Sequence, residues 1–184
     1  WSENIGWISF NGANYGVFVS PSDGMSLTGW AWSSNIGWIS FNAADTSSCG
    51  SGGATLVGAK PLVSLTGWAR AIAGSTSGAG GWDGCISLAG SGYGAQVSSY
   101  SQTSGGGLLQ GYAWGSTVVG WIQLDPAHGG VHLLFKECNN SLDDDSDTFI
   151  DLNDPHFADV TVDSEGLMGI AGPPGTVDIK VNGQ

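Results

Sequence analysis

The residues best suited to chemistry in this chain are a dense run of carboxylates near its C-terminus. Residues 137–165 contain ten of the 16 Asp and Glu residues of the 184-residue sequence. Counted from Asp143 as position 1, carboxylates fall at positions 3, 5, 9 and 12, and a phenylalanine at position 7 would offer its backbone carbonyl. This spacing is that of a twelve-residue calcium loop, in which oxygen atoms surround a hard cation. The pattern predicts a Ca²⁺ site formed by Asp143, Asp145, Asp147, Phe149, Asp151 and Asp154.

Two positions of this acidic loop depart from the usual pattern. Thr148 occupies position 6, where glycine normally permits the sharp turn. Asp154 occupies position 12, where a longer glutamate normally binds the cation with both oxygens. Because no helical pattern flanks the loop, we expect a structural clip rather than a calcium sensor. A solvated acidic linker without metal is the alternative interpretation.

Signals for catalysis are weak. His128 and His132 lie four residues apart in a strand-and-loop context, without the carboxylates typical of a zinc site. No nucleophile elbow, phosphate-binding loop or acid–base pair stands out in the sequence. We therefore expect that the chain is not an enzyme.

The overall charge excludes two classes of partner. The chain has 4 Lys and Arg residues against 16 Asp and Glu, and its formal net charge is −12. Nucleic acids and anionic membranes both require clustered basic side chains, so neither is an expected partner. No apolar run approaches the roughly 20 residues of a membrane-spanning helix.

The sequence that precedes the carboxylates contains a series of repeats. The phrase G-[WY]-A-x begins at Gly29, Gly67 and Gly111. Each copy is followed by a second phrase, which reads "IGWISF" (36–41), "DGCISL" (83–88) or "VGWIQL" (119–124), and the chain opens on "IGWISF" alone (5–10). A third phrase reads "YGVFV" (15–19) or "YGAQV" (93–97), with a weaker match in "ATLVGAKPLV" (54–63).

These phrases alternate with a period of two, which is the pattern of β-strands. Their connectors are short and contain Gly, Asn, Asp or Ser, as hairpin loops do. The sequence therefore predicts an all-β protein of antiparallel meander repeats, about three strands each, forming a sandwich or a partly closed barrel. We divide the chain into a Trp-rich β-repeat domain (1–135), the acidic calcium loop (136–157) and a C-terminal segment of short strands (158–184).

The nine tryptophans allow two interpretations. We expect Trp7, Trp30, Trp32, Trp38, Trp114 and Trp121 to form the core, because they recur at matching points of the repeats and bury a large area. Arg70 and Cys85 replace two of them in the middle repeat; the cysteine fits an interior position, whereas Arg70 would mark an edge. The alternative is an exposed platform on which sugar rings stack.

The cysteines and the C-terminal segment leave further alternatives open. Cys49 and Cys85 are a possible disulfide, which would leave Cys138 free or paired between chains. Three strands are predicted within 158–162, 166–172 and 176–183; the last reads as the start of an immunoglobulin-like domain or as a donated strand. Because the chain opens in the middle of a repeat, strand addition from a neighbouring subunit and simple truncation are both compatible with it.

The phrases "GWAWSSNIGWISF" and "GYAWGSTVVGWIQL" resemble a Trp-rich repeat of secreted, sometimes pilin-like, surface proteins of uncultivated bacteria. The stretch "ECNNSLDDDSDTFIDLNDPHF" (137–157) resembles the acidic calcium module of thrombospondin type 3 and dockerin repeats. The resemblance implies an extracellular, calcium-binding surface protein without catalytic activity. A second cysteine of that module is expected near His156 or Phe157 and is missing, which leaves Cys138 without its implied local partner.

We therefore expect an extracellular, cell-surface structural protein. It would be a subunit of a surface filament or pilus that assembles with copies of itself, or a segment of an adhesin, and Ca²⁺ would stabilise it. The alternative function is a carbohydrate-binding module that contacts surface glycans through exposed tryptophans.

Overall fold

The structure is a computed structural model that describes residues 1–20, 23–59, 62–101, 106–134, 168–171 and 177–180. The larger of two compact units comprises Trp1–Tyr100 and Gly107–Leu133, and the smaller contains the two C-terminal strands. The strands are β1 (Ile8–Ser9), β2 (Asn11–Gly12), β3 (Tyr15–Val19), β4 (Leu27–Ser33), β5 (Gly37–Ser40), β6 (Thr55–Ala59), β7 (Leu62–Thr66), β8 (Trp68–Ala71), β9 (Cys85–Ser87), β10 (Ala89–Gly90), β11 (Tyr93–Ser101), β12 (Gly106–Trp114), β13 (Trp121–Gln123), β14 (Val131–Leu134), β15 (Met168–Ala171) and β16 (Val177–Lys180). Short helical turns are α1 (Ala43–Thr46), α2 (Ser116–Val119) and a 3-10 turn (Ile72–Ser75).

The all-β prediction is confirmed. Strands β1 to β14 form one antiparallel sheet with the order β2-β3-β4-β5-β8-β9-β12-β11-β7-β6, to which β1, β10, β13 and β14 are attached. The sheet is not closed into a barrel. A single bridge joins Ser2 to Ile122, and the backbones of Trp1 and Gln123 exchange two hydrogen bonds.

The sequence repeats correspond to repeated strand pairs. Each G-[WY]-A-x phrase lies on β4, β8 or β12, and each following phrase lies on its antiparallel partner β5, β9 or β13. The weak third phrase of the middle repeat also forms a strand, β6, which pairs along its length with β7. The repeated sequence therefore specifies a repeated hairpin with one register.

Backbone conformation and a close backbone contact explain the glycine that opens each G-[WY]-A-x phrase. Gly29, Gly67 and Gly111 have φ angles of +92°, +86° and +121°, which residues with a side chain rarely adopt. A Cβ at any of these positions would overlap the carbonyl oxygen of another glycine, which is residue 16, 53 or 94 respectively. Glycine therefore permits the backbone of the preceding segment to pass close to each hairpin.

The core consists of aliphatic side chains and one phenylalanine rather than indoles. The first strand of each hairpin contributes a buried alanine, the second contributes a buried isoleucine, and the residue directly after the second strand is a buried phenylalanine or leucine. These buried residues are Ala31, Ala69, Ala113, Ile39, Ile86, Ile122, Phe41, Leu88 and Leu124. They line one apolar cavity together with Ile8, Phe10 and Leu65. Small and large side chains thus alternate between the strands of each pair across the interior.

The prediction that the tryptophans form the core is wrong. Trp7, Trp32, Trp38 and Trp121 are 55%, 38%, 42% and 50% exposed, and Trp30 and Trp114 are partly exposed. Alternation predicts that a strand has two faces but does not say which face is inside. On β4 the fully buried Ala31 lies between two tryptophans, so the small residue points inward and the indoles point outward.

Arg70 does not mark a sheet edge, because β8 pairs with β5 on one side and with β9 on the other. At the C-terminus, β15 and β16 form a two-stranded antiparallel pair with Met168 opposite Lys180 and Ala171 opposite Val177. This confirms strands within 166–172 and 176–183. The strand predicted at 158–162 lies outside the described residues.

Candidate functional site

The predicted calcium ligands lie outside the described residues. Asp143, Asp145, Asp147, Phe149, Asp151 and Asp154 all belong to the stretch between residues 134 and 168. Within the described part of the chain, no group of three or more His, Cys, Asp and Glu side chains could hold a metal ion. The calcium site therefore stays a prediction from the sequence.

The outer face of the sheet carries two aromatic clusters. The first aromatic cluster consists of Tyr15, Trp30, Trp32 and Trp38. Trp38 is its centre: the ring centroids of Tyr15, Trp30 and Trp32 lie 5.2, 6.3 and 4.7 Å from that of Trp38. All three rings meet it edge to face, at interplanar angles of 80°, 77° and 65°. Such contacts bring the positive edge of one ring to the negative face of another.

The second aromatic cluster consists of Tyr93, Tyr112, Trp114 and Trp121. Trp121 is its centre, and the centroids of Tyr93, Tyr112 and Trp114 lie 5.0, 6.3 and 4.7 Å from that of Trp121. The interplanar angles are 78°, 80° and 55°. The two clusters therefore share one arrangement, in which Tyr112 takes the place of Trp30.

Strand register explains why the two clusters match. Trp32 lies directly opposite Trp38 on the β4–β5 pair, and Trp114 lies directly opposite Trp121 on the β12–β13 pair. Residues opposite each other on one face of an antiparallel pair have neighbouring side chains. One shared register thus places an indole against an indole in both repeats.

A repeated hydrogen-bond chain holds the tyrosine of each cluster. The Tyr15 hydroxyl donates to Ser9 Oγ at 2.9 Å, and Ser9 Oγ donates to the carbonyl of Asn11 at 2.8 Å. The same chain recurs in the second cluster, where Tyr93 donates to Ser87 Oγ and Ser87 donates to the carbonyl of Ala89, both at 2.9 Å. These bonds fix both tyrosine rings against their central tryptophans.

The middle repeat departs from this arrangement. On the β8–β9 pair the register places Arg70 opposite Cys85, at the two positions that indoles occupy in the clusters. Cys85 forms a disulfide with Cys49, with the two Cα atoms 5.4 Å apart, which confirms the pairing considered from the sequence. Arg70 donates from Nε to the carbonyl of Asp83 at 3.1 Å and from Nη1 to the carbonyl of Asp45 at 3.2 Å.

The segment that follows β5 covers the outer face of this middle repeat. Its backbone lies so close to the Trp68 indole that a Cβ at Gly50 would approach Nε1 to 2.6 Å. The Arg70 side chain and the disulfide attach the same segment to β8 and β9. Trp68 is therefore partly covered by the chain itself, whereas the central tryptophans of both aromatic clusters are about half exposed.

The aromatic clusters contain no ionisable acid or base other than tyrosine. Arg70 is the only Lys or Arg among the described residues of the larger unit, and it donates to the backbone carbonyls of Asp83 and of Asp45 in the covering segment. The turn before β4 holds the carboxylate of Asp23, whose pKa is lowered to about 2 by hydrogen bonds from the Ser26 hydroxyl and from the backbone amides of Met25 and Ser26. Burial lowers the pKa of the Trp1 amino group, which donates to the carbonyl of Gln123.

Sequence reasoning identified the tryptophans but missed the tyrosines. Tyr15 and Tyr93 open the two clear copies of the third phrase, and Tyr112 stands in the second position of the "GYAW" phrase. Their recurrence beside the tryptophans was the available signal. Trp7 occupies the matching position of the opening repeat, but it has no aromatic ring partner among the described residues.

Comparison with protein-family models, with curated proteins and with solved structures finds no match. Across the described part of the chain, no helix is both long enough and apolar enough to cross a membrane. The two exposed aromatic clusters and the fold that presents them are therefore the features that bear on the function of this chain.

Proposed function

We propose that this chain is a carbohydrate-binding segment of an extracellular surface protein, such as an adhesin. The observation that carries the proposal is the pair of matched aromatic clusters on the outer face of the sheet. The central rings, Trp38 and Trp121, remain about half exposed although three rings surround each of them. Exposed aromatic groups of this size on a folded domain indicate a contact surface.

The chemistry of indole rings suits sugars. The face of an aromatic ring is negative, so the weakly positive C–H groups on the flat side of a pyranose are attracted to it, and the contact also removes apolar surface from water. The edge-to-face neighbours and the tyrosine hydrogen bonds hold each central ring in place before any ligand arrives. Binding then costs little side-chain entropy.

Charge favours a neutral ligand. The chain has a formal net charge of −12, and Arg70, the only Lys or Arg described in the larger unit, donates to the backbone carbonyls of Asp45 and Asp83. An acidic polysaccharide would be repelled by the protein as a whole and would find no cation in either cluster. We therefore propose neutral surface glycans as the ligands.

The disulfide supports an extracellular location. Disulfides persist in oxidising compartments and are rare in the cytosol. Cys49 and Cys85 are 36 residues apart, and their link fixes the segment over the middle repeat to β9. A β domain that is cross-linked by a disulfide and exposes aromatic side chains is consistent with a surface protein.

A glycan-binding measurement tests this proposal. The full chain is titrated with cellohexaose, chitohexaose, mannohexaose and, as an anionic control, oligogalacturonate, while tryptophan fluorescence is recorded. We expect at least one neutral oligosaccharide to shift the emission, and Trp38→Ala/Trp121→Ala to lose that binding. The matched control is Phe18→Ala, because Phe18 is an exposed apolar ring on β3 outside both clusters. Equal binding by the double variant would contradict the proposal, as would a response to oligogalacturonate alone.

A second candidate function is a building block of a surface filament, which one feature of the sheet favours. Strand β6 lies at the end of the sheet path, where, among the described residues, the segment before β4 bridges only its first residues, at Thr55 and Leu56. The β6–β7 hairpin exposes Val57 and Leu62. A terminal strand with exposed apolar side chains can pair with a strand of another copy. Electron microscopy and light scattering of the purified chain should then show polymers that Val57→Lys disrupts, since lysine blocks edge pairing.

We also propose that Ca²⁺ binds the acidic loop at Asp143, Asp145, Asp147, Phe149, Asp151 and Asp154. The support is the ligand spacing alone. Calorimetric titration of the full chain with CaCl₂ should show one bound ion, and Asp145→Asn/Asp147→Asn should abolish it. The control, Asp45→Asn, lies in α1 of the repeat domain and should bind as the unmodified chain does.

A further inference from the structure

We propose that the two aromatic clusters are two separate and nearly equivalent sites for the same pyranose units, so that one chain binds two glycan segments at the same time. This inference rests on the proposed carbohydrate-binding function. It goes further because it fixes the number of sites, their equivalence and the ability of one chain to link two glycan segments.

The first step is the equivalence of the two sites. In both clusters three aromatic rings surround a central tryptophan. The centroid distances are 5.2, 6.3 and 4.7 Å in the first cluster and 5.0, 6.3 and 4.7 Å in the second, so they agree within 0.2 Å. The Tyr–Ser–carbonyl hydrogen bonds are repeated as well. Two sites with the same groups in the same geometry select the same ligand, with affinities that differ only through the exchange of Trp30 for Tyr112.

The second step is the separation of the two sites. In the sheet order, β8 and β9 lie between the β4–β5 pair and β12, so the clusters are at least two strands apart. Those intervening strands present Arg70, the disulfide and the covered Trp68 instead of exposed aromatic rings. One sugar unit cannot contact both central tryptophans. Each cluster therefore binds its own unit.

The third step is the exclusion of a further equivalent site. Trp7 is exposed, but it lacks the ring partners that hold Trp38 and Trp121, counting only described residues. A lone ring must lose its rotamer freedom when a ligand binds, which weakens the contact. We therefore expect two sites per chain.

Two sites on one chain change what the chain does to a polymer. The inner side chains of both hairpins line one cavity, so the two outer faces point away from that shared interior. A chain with two outward sites links separate segments of a long glycan, and mixing the two should therefore produce turbidity. Loss of either cluster should remove this cross-linking, whereas the affinity of the remaining site for the short sugar should stay within about twofold.

Calorimetry with single-cluster variants tests the proposal. A trisaccharide of the neutral sugar that the unmodified chain binds is titrated into that chain, Trp38→Ala, Trp121→Ala and the double variant. We expect stoichiometries of two, one, one and zero, and a loss of polymer cross-linking, measured as turbidity, in each single variant. Trp38→Phe and Trp121→Phe keep an aromatic face and should retain two sites. Urea unfolding of each variant verifies that the fold is kept.

The outcomes separate this inference from the proposed function. If the unmodified chain binds one trisaccharide and only one of the single variants loses it, the inference of two equivalent sites is overturned while carbohydrate binding stands. Equal turbidity of the polymer with the unmodified chain and with both single variants would also overturn it. If no neutral sugar binds the unmodified chain, the proposed function itself fails.

Discussion

The β4–β5 and β8–β9 hairpins have the same backbone register and matching buried alanine and isoleucine side chains, yet two opposed positions of their outer faces differ. Ala31 and Ile39 of the first hairpin correspond to Ala69 and Ile86 of the second, and all four are buried. On the outer face, two opposed indoles in the first hairpin are replaced by an arginine and a disulfide-bonded cysteine in the second. The inner face thus specifies the fold, while the outer face is free to vary.

The two outer faces are also stabilised in different ways. The first aromatic cluster holds itself together by ring contacts and faces solvent. The middle repeat is instead covered by the chain segment that follows β5, which Cys49 and Arg70 anchor. We infer that the middle repeat serves stability and the clusters serve contact, and the predictions below test this division.

The largest effect should come from the disulfide. The cross-link joins residues 36 positions apart, so replacing both cysteines by serine should lower the free energy of unfolding by about 4 kcal/mol, because the unfolded chain regains the entropy of that loop. Urea unfolding of Cys49→Ser/Cys85→Ser against Cys138→Ser measures this, since the control removes only the third cysteine. Sugar binding by both clusters should persist where the double variant is folded. An unchanged unfolding midpoint would contradict a stabilising role of the disulfide.

A somewhat smaller effect should separate the two faces of one strand. Ile39 and Trp38 are neighbours on β5, but Ile39 is 2% exposed and Trp38 is 42% exposed. Ile39→Ala should cost about 3 kcal/mol, because it removes buried methyl groups and leaves a cavity. Trp38→Ala should cost only about 1–2 kcal/mol, because it removes edge-to-face contacts at a half-exposed ring.

Binding should follow the opposite order in this pair. Ile39→Ala should keep both sugar sites, whereas Trp38→Ala should lose one. Chemical denaturation gives the stability order and trisaccharide calorimetry gives the binding order for the same two proteins. A greater loss of stability in Trp38→Ala than in Ile39→Ala would show that the indole, not the isoleucine, is part of the core.

The sequence alone was sufficient to predict the strands but not the direction in which their side chains point. Alternation along β4 defines two faces whichever face is buried, so the pattern around Ala31 fitted an indole core as well as an alanine core. Which face is buried depends on the space between strands that are distant in sequence. That space holds alanine and isoleucine side chains but not several indoles. The size of that space is a property of the whole sheet.

The candidate site was predictable only in part for a similar reason. The repeats identified most of the tryptophans, and the sequence allowed a Cys49–Cys85 disulfide as one alternative. That the segment after β5 covers Trp68 depends on tertiary contacts at Arg70 and Gly50, which leave no periodic signal. Local patterns therefore reveal which residues recur, and long-range packing decides which of them reach solvent.

A third, smaller effect should come from Arg70. Its guanidinium donates to the carbonyls of Asp45 and Asp83, so Arg70→Ala should lower the free energy of unfolding by about 1 kcal/mol. Arg70→Lys should not restore the loss, because an ammonium group cannot reproduce the planar fork of two donors. Acrylamide quenching of Trp68, taken as the difference between each variant and the same variant with Trp68→Phe, should rise in both. Unchanged quenching would mean that the arginine does not hold the covering segment.

The smallest effect should be confined to the turn that leads into the first aromatic cluster. The Ser26 hydroxyl and the amides of Met25 and Ser26 lower the pKa of Asp23 from its ordinary value of 3.8 to about 2. A carboxyl group with a lowered pKa stabilises the folded state above its unfolded value, and this contribution is lost as the pH falls from about 4 to about 2. Asp23→Asn should therefore unfold at slightly lower urea than the unmodified chain at pH 7.

That difference in urea midpoint should shrink as the pH is lowered and vanish near pH 2, because the unmodified carboxyl group is then neutral as well. Measuring both proteins at each pH cancels the titration of all other carboxylates. Because Asp23 is fully exposed, the shift should be small, and sugar binding at the second cluster should not respond. A midpoint difference independent of pH would mean that the variant acts through its altered shape rather than through the lost charge.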